Sequence, residues 1–394
     1  MTRFNQSRVL AVLLGAATIV THAQAQPPTK GGGAEAPLVE TARLPDGGIQ
    51  PQAAVGEDGI IHLLYYKGDP RAGDLFYVTR APAETTWSKA VRVNSQPGSA
   101  IAVGTDRGGQ IALGRGGFVH VAWNGSHKAT PSGPERSSPM LYSRLPPGAS
   151  EFEPQRNLMT ASTHLDGGGS VAADSKGSVY VIWHAAPVDA PEKDEAARRV
   201  LVAVSTDDGG QFAPEVARSR PANGACGCCG LKAAALPNGE VLVLYRSARE
   251  TVHRDMHLMR STDGAKTFTD ERIDPWEVRT CPMSMAAIVP AKHGAALAWE
   301  TMEDVRWSVG PATIEARSIP GKRERRRHPS IAADRDGRVI VAWTEAGGWN
   351  TPGKLGWSLL ADGKVLRQSV GGDIPTWSLS AVVAKPNGAF LIVH

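Results

Sequence analysis

The chain has 394 residues, with Lys+Arg 43 against Asp+Glu 39 and a net charge of +4. Hydrophobic residues make up 41% and charged ones 21%, which supports a large core and excludes an intrinsically disordered chain. The near balance of charge argues against nucleic acid as a partner, since such binders carry a broad basic face.

At the N-terminus, Arg3 and Arg8 precede an apolar run from Val9 to Val20, and Ala23-Gln24-Ala25 follows. A basic start, a short apolar middle and an Ala-x-Ala end predict a secretory signal peptide (residues 1–25) cut after Ala25. The run is too short for a membrane span, and no other segment approaches one. The expected location is periplasmic or secreted, where disulfides are permitted. Residues 26–36, rich in Pro, Gly and Ala, read as a disordered leader. Residues 37–394 read as a single domain, expected to be a monomer.

Glycine and proline, 43 and 28 residues spread along the chain, favour many short strands joined by turns. One pattern recurs: a turn containing Gly, then alternating apolar residues closing on an aromatic. It runs from Gly59 to Tyr65, Gly117 to Trp123, Gly177 to Trp183, Gly239 to Tyr245 and Gly337 to Trp343. Weaker copies run from Gly294 to Trp299 and from Gly388 to the end of the chain. A short apolar strand precedes each Gly, at 52–55, 110–113, 170–173, 232–236, 285–289, 330–333 and 380–384. Each unit is therefore a hairpin. A third strand follows the first six hairpins, at 75–79, 140–144, 200–205, 256–261, 305–309 and 355–359. Repeats of this kind predict an all-β fold, a β-propeller of four-stranded blades. Seven hairpins favour seven blades, with six the alternative. The seventh hairpin ends the chain, so residues 38–44 are expected to close the ring.

After the third strand of unit three comes Ser205-Thr206-Asp207-Asp208-Gly209-Gly210-Gln211-Phe212, and unit four has Ser261-Thr262-Asp263-Gly264-Ala265-Lys266-Thr267-Phe268. These resemble the Asp box, S-x-D-x-G-x-T-W, of the sialidase-like (BNR repeat) β-propellers. The first departs at Gln211, the second at Ala265, and both end in Phe. The resemblance implies the propeller fold over residues 38–394 and a structural role for the box itself. Sialidase chemistry, which uses a late tyrosine nucleophile and three arginines, does not carry over. The last tyrosine is Tyr245, and units five to seven contain none.

In a propeller, the loops from strand two to strand three and those leading into each blade share the face around the channel mouth. Here these loops are long and chemically rich, so the site is expected there. The aromatics ending strand two are expected to pack between blades. The residues after them, Tyr66, Asn124, His184, Arg246 and Glu300, point the other way and could form a polar ring.

The densest chemistry runs from Cys226 to His328. All four cysteines, Cys226, Cys228, Cys229 and Cys281, lie in two neighbouring loops. Disulfides are the first reading in an oxidising compartment. The alternatives are a copper site, with the thioethers of Met283 and Met285 beside the thiolates, or a thiol redox site. Arg246, Arg254, His184, His253, Arg327 and His328 are candidate binders of an anionic carbohydrate or related polymer. Glu300, Asp255 and Tyr245 are candidates for proton transfer or nucleophilic attack if that ligand is hydrolysed. A noncatalytic interaction propeller is the rival reading. No cofactor is required.

Overall fold

The computed structural model describes residues 38–104, 107–310, 314–321 and 324–394. The expected signal peptide and leader lie outside the described residues, as do Asp106 and two residues, Lys322 and Arg323, of the basic sequence Lys322-Arg323-Glu324-Arg325-Arg326-Arg327.

Seven sheets form the blades of one propeller. Blade 1 holds strands Ile49–Val55, Ile61–Lys67, Asp74–Arg80 and Val91–Arg92; blade 2 holds Gln110–Leu113, Val119–Asn124, Met140–Leu145 and Arg156–Asn157. Blade 3 holds Gly169–Ala173, Val179–Pro187, Arg199–Ser205 and Val216–Ala217, and blade 4 holds Lys232–Ala235, Val241–Arg246, Met256–Ser261 and Thr269–Asp274. Blade 5 holds Ala286–Ala291, Gly294–Thr301, Asp304–Gly310 and Arg317–Ser318; blade 6 holds Arg326–Ala333, Val339–Glu345, Gly353–Ala361 and Lys364–Ile374. Blade 7 is the hairpin Ala381–Ala384 and Phe390–Val393. Within blades 1 to 6 the four strands follow in sequence and run antiparallel, as hairpin connections dictate, and in blade 3 Ser162–Thr163 adds a short fifth strand beside the second.

The ring closes through the N-terminal strand, as expected. Val39–Ala42 lies beside Phe390–Val393 in parallel register, Val39 opposite Phe390 and Ala42 opposite Val393. It is the outer strand of blade 7, which has three strands among the described residues. Among the described residues the seventh hairpin has no antiparallel third strand, and the edge of Phe390–Val393 pairs directly with Val39–Ala42. Lys385 clamps the seam by its ion pair with Glu40 at 2.9 Å.

The aromatics that end strand two pack between blades. Trp123 packs with blade 1 residues Leu64 and Leu75, Trp183 with Met140 and Tyr142 of blade 2, and Tyr245 with Val200 and Val202 of blade 3. Trp299 and Trp343 repeat the arrangement against blades 4 and 5. All five are essentially fully buried. Alternation explains this: one face of each strand meets the preceding blade and the other meets the next.

The turns after the third strands of blades 3 and 4 are built on Asp207 and Asp263. Asp207 Oδ1 accepts from the Gln211 N–H at 2.9 Å and the Ser205 hydroxyl at 2.6 Å. Asp263 accepts from the Lys266 and Thr267 N–H groups and from the Thr267 hydroxyl. These donors hold its carboxyl well below the usual range. Gly209 takes φ 76° in the first turn, and Ala265 takes φ 65° in the second, where the sequence pattern has glycine. Phe212 then packs edge-on to Tyr142 of blade 2.

Candidate functional site

In blades 1 to 5 the polar residue after the strand-two aromatic reaches the next blade or the loop leading into it. The Tyr66 hydroxyl lies 2.5 Å from the Asp69 carbonyl, its nearer acceptor, and 3.3 Å from the Ala100 carbonyl in the loop leading into blade 2. Asn124 Nδ2 donates to the Asp166 and Gly167 carbonyls at 3.0 and 2.9 Å. His184 Nε2 donates to the Cys229 carbonyl at 2.8 Å. Arg246 Nε donates to the Ser284 hydroxyl at 2.6 Å. Glu300 Oε1 accepts from the His328 N–H at 2.7 Å. Five successive blades are thus clasped at the mouth by five chemically different side chains, so the polar ring exists and is directed sideways into the leading loops.

Around Arg246 these contacts thicken into a buried cluster. Arg246 is 2% exposed, and its remaining donors go to the Arg254 and Glu300 carbonyls. Its guanidinium lies over the Trp276 ring, 4.9 Å from the centroid. Arg254 pairs with Glu195 at 2.7 Å, while its Nε and Nη1 are buried without a hydrogen-bond partner. Glu195 also accepts from the Gly227 N–H at 2.7 Å. Burial opposes its ionisation, but these donors hold its carboxyl below the ordinary value.

The four cysteines meet here. Cys228 and Cys281 are disulfide-bonded and partly buried. Cys226 and Cys229 are free thiols, each 1% exposed, with sulfurs 3.1 Å apart. Cys226 Sγ lies 3.6 Å from Cys228 Sγ. Burial resists ionisation of Cys229, yet the Cys226 thiol, the Arg246 charge and the Ser284 donors bring it down to about 7. The hydrogen bond to Cys229, together with burial, pushes Cys226 up.

The other expected residues spread over the same face and behind it. Arg327 Nε pairs with Glu300 Oε2 at 3.0 Å, and its Nη2 donates to the Pro282 and Met283 carbonyls. Glu300 Oε1 also accepts from the Met285 N–H at 3.1 Å. His328 is buried and lines the channel with Met285. Burial lowers His184 and His328 to about 4, with Arg198 and Arg327 adding to the effect. Asp255, 2% exposed, accepts from the Trp276 N–H at 2.9 Å. Tyr245 turns outward, its hydroxyl donating to Asp270 on the outer strand at 2.8 Å. His253 sits between Glu250 and Glu277, 3.7 and 3.5 Å away. Arg326, beside Arg327, is 1% exposed and lies over Trp343.

Three features of the mouth add residues that the sequence did not single out, Lys232, Arg107 and Trp349. A central channel of about 460 Å³ is lined by the seven inner strands, largely by alanines. Within it Lys232 extends its ammonium to the side-chain oxygens of Gln52, at 3.2 Å, and Gln110. At the rim, Arg107 pairs with Asp166 at 2.6 Å, joining the leading loops of blades 2 and 3. Trp349, 38% exposed, reaches from blade 6 to the leading loop of blade 2, where a Cβ on Gly104 would stand 4.0 Å from its ring. A signal for the channel was present: all but one of the expected inner strands open on a polar residue, namely Gln52, Gln110, Ser170, Lys232, Ser330 and Ser380. Nothing comparable marked Trp349.

No family model matches the chain, and no curated protein does. Solved structures share its architecture. An α-L-arabinanase of Penicillium chrysogenum complexed with arabinobiose is 13% identical, with TM-score 0.51, covering 82% of this chain and 96% of its own. An α-L-arabinofuranosidase of Fusarium graminearum with an iminosugar inhibitor is 13% identical, with TM-score 0.51 and coverages of 82% and 96%. A Dyadobacter fermentans protein of unknown function is 15% identical, with TM-score 0.50 and coverages of 79% and 94%. Likeness at this level of identity speaks to the fold alone, and the seven blades in one ring make the chain a seven-bladed β-propeller.

Proposed function

We propose that the channel mouth is a binding site for an acidic carbohydrate, met outside the cytoplasm by an exported protein. The observation that carries the reading is Lys232, an ammonium placed in the channel between the side chains of Gln52 and Gln110. A cation flanked by amides suits a sugar carboxylate: the cation takes the charge and the amides take neighbouring hydroxyls. The channel, about 460 Å³, is of a size with small-ligand pockets. Trp349 supplies an exposed aromatic face at the rim for a sugar ring. Arabinobiose in the Penicillium structure makes a carbohydrate the natural class of ligand to test.

The reading stops at binding. Glu300 is engaged by Met285, His328 and Arg327, and Asp255 by Trp276. Neither carboxyl is placed to act as a free acid or base.

The test is calorimetric titration with oligogalacturonate and with a neutral arabino-oligosaccharide. The acidic ligand is expected to bind more tightly, and Lys232→Met to weaken it about tenfold or more. Equal affinity for the two ligands, or unchanged acidic-sugar binding in Lys232→Met, overturns the proposal. Release of reducing ends would extend the reading to hydrolysis.

A further inference from the structure

The carbohydrate reading makes no use of the sulfur cluster. Every cysteine of the chain is in it, yet only one pair is bonded. The partly buried pair, Cys228 and Cys281, carries the disulfide, while the buried pair, Cys226 and Cys229, is reduced with its sulfurs in contact at 3.1 Å. A contact of 3.6 Å between Cys226 and Cys228 joins the inner pair to the outer. The inner pair also has C-x-x-C spacing, the spacing of dithiols that open and close.

The surroundings favour a thiolate at Cys229, which can take the Cys226 proton across the 3.1 Å contact between their sulfurs as Cys226 attacks. Ser284 brings both its N–H and its hydroxyl to within 3.4 Å of Cys229 Sγ. Arg246 adds a buried positive charge acting on Cys229. Arg254 has two buried donor atoms without partners, and the groups acting electrostatically on it include Cys226 and Cys229. An inert structural staple has no need of two buried arginines beside its neighbouring thiols.

We propose that the four cysteines form a thiol–disulfide exchange site in which the buried dithiol passes two electrons through the outer disulfide to an external disulfide substrate. In the first step the Cys226 thiolate attacks Cys228 Sγ. The Cys226–Cys228 bond forms, the Cys228–Cys281 bond breaks, and Cys281 leaves as a thiolate, taking up the proton that Cys226 passed to Cys229. In the second step the Cys229 thiolate attacks Cys226 Sγ. The Cys226–Cys229 bond forms, the Cys226–Cys228 bond breaks, and Cys228 leaves as the thiolate. The inner sulfurs are now oxidised and the outer ones reduced, with no outside reactant consumed. The partly exposed outer dithiol then reduces an external disulfide, R–S–S–R. Cys281 attacks one sulfur and releases one thiol; Cys228 resolves the mixed disulfide and releases the second. The sum is an inner dithiol plus R–S–S–R giving an inner disulfide plus two R–SH.

The experiment uses the whole purified chain and oxidised glutathione as the external disulfide. Samples are quenched over time with N-ethylmaleimide, digested and mapped by mass spectrometry. The expected product is a Cys226–Cys229 linkage, with two glutathiones released per chain. Cys228→Ser, which removes the sulfur joining the two pairs, is expected to slow that oxidation by about tenfold or more. Cys226 and Cys229 remaining thiols in the folded wild-type chain overturns the proposal, whether or not the variant folds. So does an unchanged rate in a folded Cys228→Ser protein. One copper per chain with all four thiols reduced would overturn it in favour of a metal site. None of these results bears on sugar binding, so the two readings stand or fall separately.

Discussion

Glu300 of blade 5 accepts a hydrogen bond from the backbone N–H of His328 in blade 6, at 2.7 Å. One carboxylate thereby joins two blades. The same oxygen takes the Met285 N–H at 3.1 Å, and the other pairs with Arg327 at 3.0 Å. Glu300 is 3% exposed, so its charge has left water and depends on these donors. Glu300→Gln removes the charge and presents an amide N–H₂ where an acceptor is needed. A cost of about 3 kcal/mol is expected for breaking a buried pair of this kind. Thermal unfolding followed by tryptophan fluorescence should show a lower midpoint, and an unchanged midpoint would remove Glu300 from the inter-blade clasp.

Much of this architecture can be read from the sequence because propellers repeat. A Gly-containing turn, alternating apolar residues and a closing aromatic recur from Gly59 to Tyr65 and in later units, so strand, turn and blade order follow from local chemistry. The mouth is less legible. That Arg246 spends its donors on Ser284 and on two carbonyls depends on where three loops converge, which no local pattern encodes. Lys232 opens a predicted inner strand, but its meeting with Gln52 and Gln110 requires strands of three blades to face one channel. The place of the N-terminal strand was foreseeable only in part. Sequence identifies the unpaired hairpin, whereas the choice of edge and direction is made in three dimensions.

The inter-blade tryptophans should be the costliest single truncations. Trp183 is fully buried between blades 2 and 3, and its indole N–H donates to the Ser162 hydroxyl at 3.2 Å. Trp183→Ala leaves a cavity between two sheets that are each held in place by further neighbours, so collapse is restricted. The expected loss is about 3–5 kcal/mol. Comparing the thermal midpoint with that of Trp183→Phe separates the lost volume from the lost hydrogen bond.

Three buried histidines make stability depend on pH. Burial lowers His120, His184 and His328 from 6.5 to about 4, with Arg144, Arg198 and Arg327 reinforcing it. Their folded values lie below their unfolded ones, so the unfolded chain binds more protons between the two. Stability from these groups is fully present above pH 6.5 and is lost as pH falls toward 4. The loss is on the order of 3 kcal/mol per histidine across that window. Thermal midpoints measured from pH 7.5 down to 4 should fall most steeply below about 6.5. In a folded His184→Gln variant the fall should be shallower by one proton. Equal slopes for variant and wild type would mean that His184 is not held neutral by burial.

Trp349 and Lys232 should separate two kinds of recognition at the mouth. Trp349 keeps 38% of its surface exposed although its loop is anchored, with the Trp377 indole N–H donating to its carbonyl at 2.6 Å. An indole presented this way offers an apolar face to the C–H groups of a sugar ring whatever its charge. Lys232, inside the channel, responds to charge. Trp349→Ala is therefore expected to weaken acidic and neutral oligosaccharides alike, by about tenfold, since stacking contributes roughly 1–1.5 kcal/mol. Lys232→Met is expected to weaken the acidic ligand alone. Raising the salt concentration should weaken the acidic ligand by less than Lys232→Met does, since a charge inside the channel is screened less than an exposed one, and leave the Trp349→Ala deficit unchanged. Calorimetric titrations of both variants at low and high salt test this pattern, and a Trp349→Ala protein that binds both ligands as tightly as the wild type would place the sugar away from the rim.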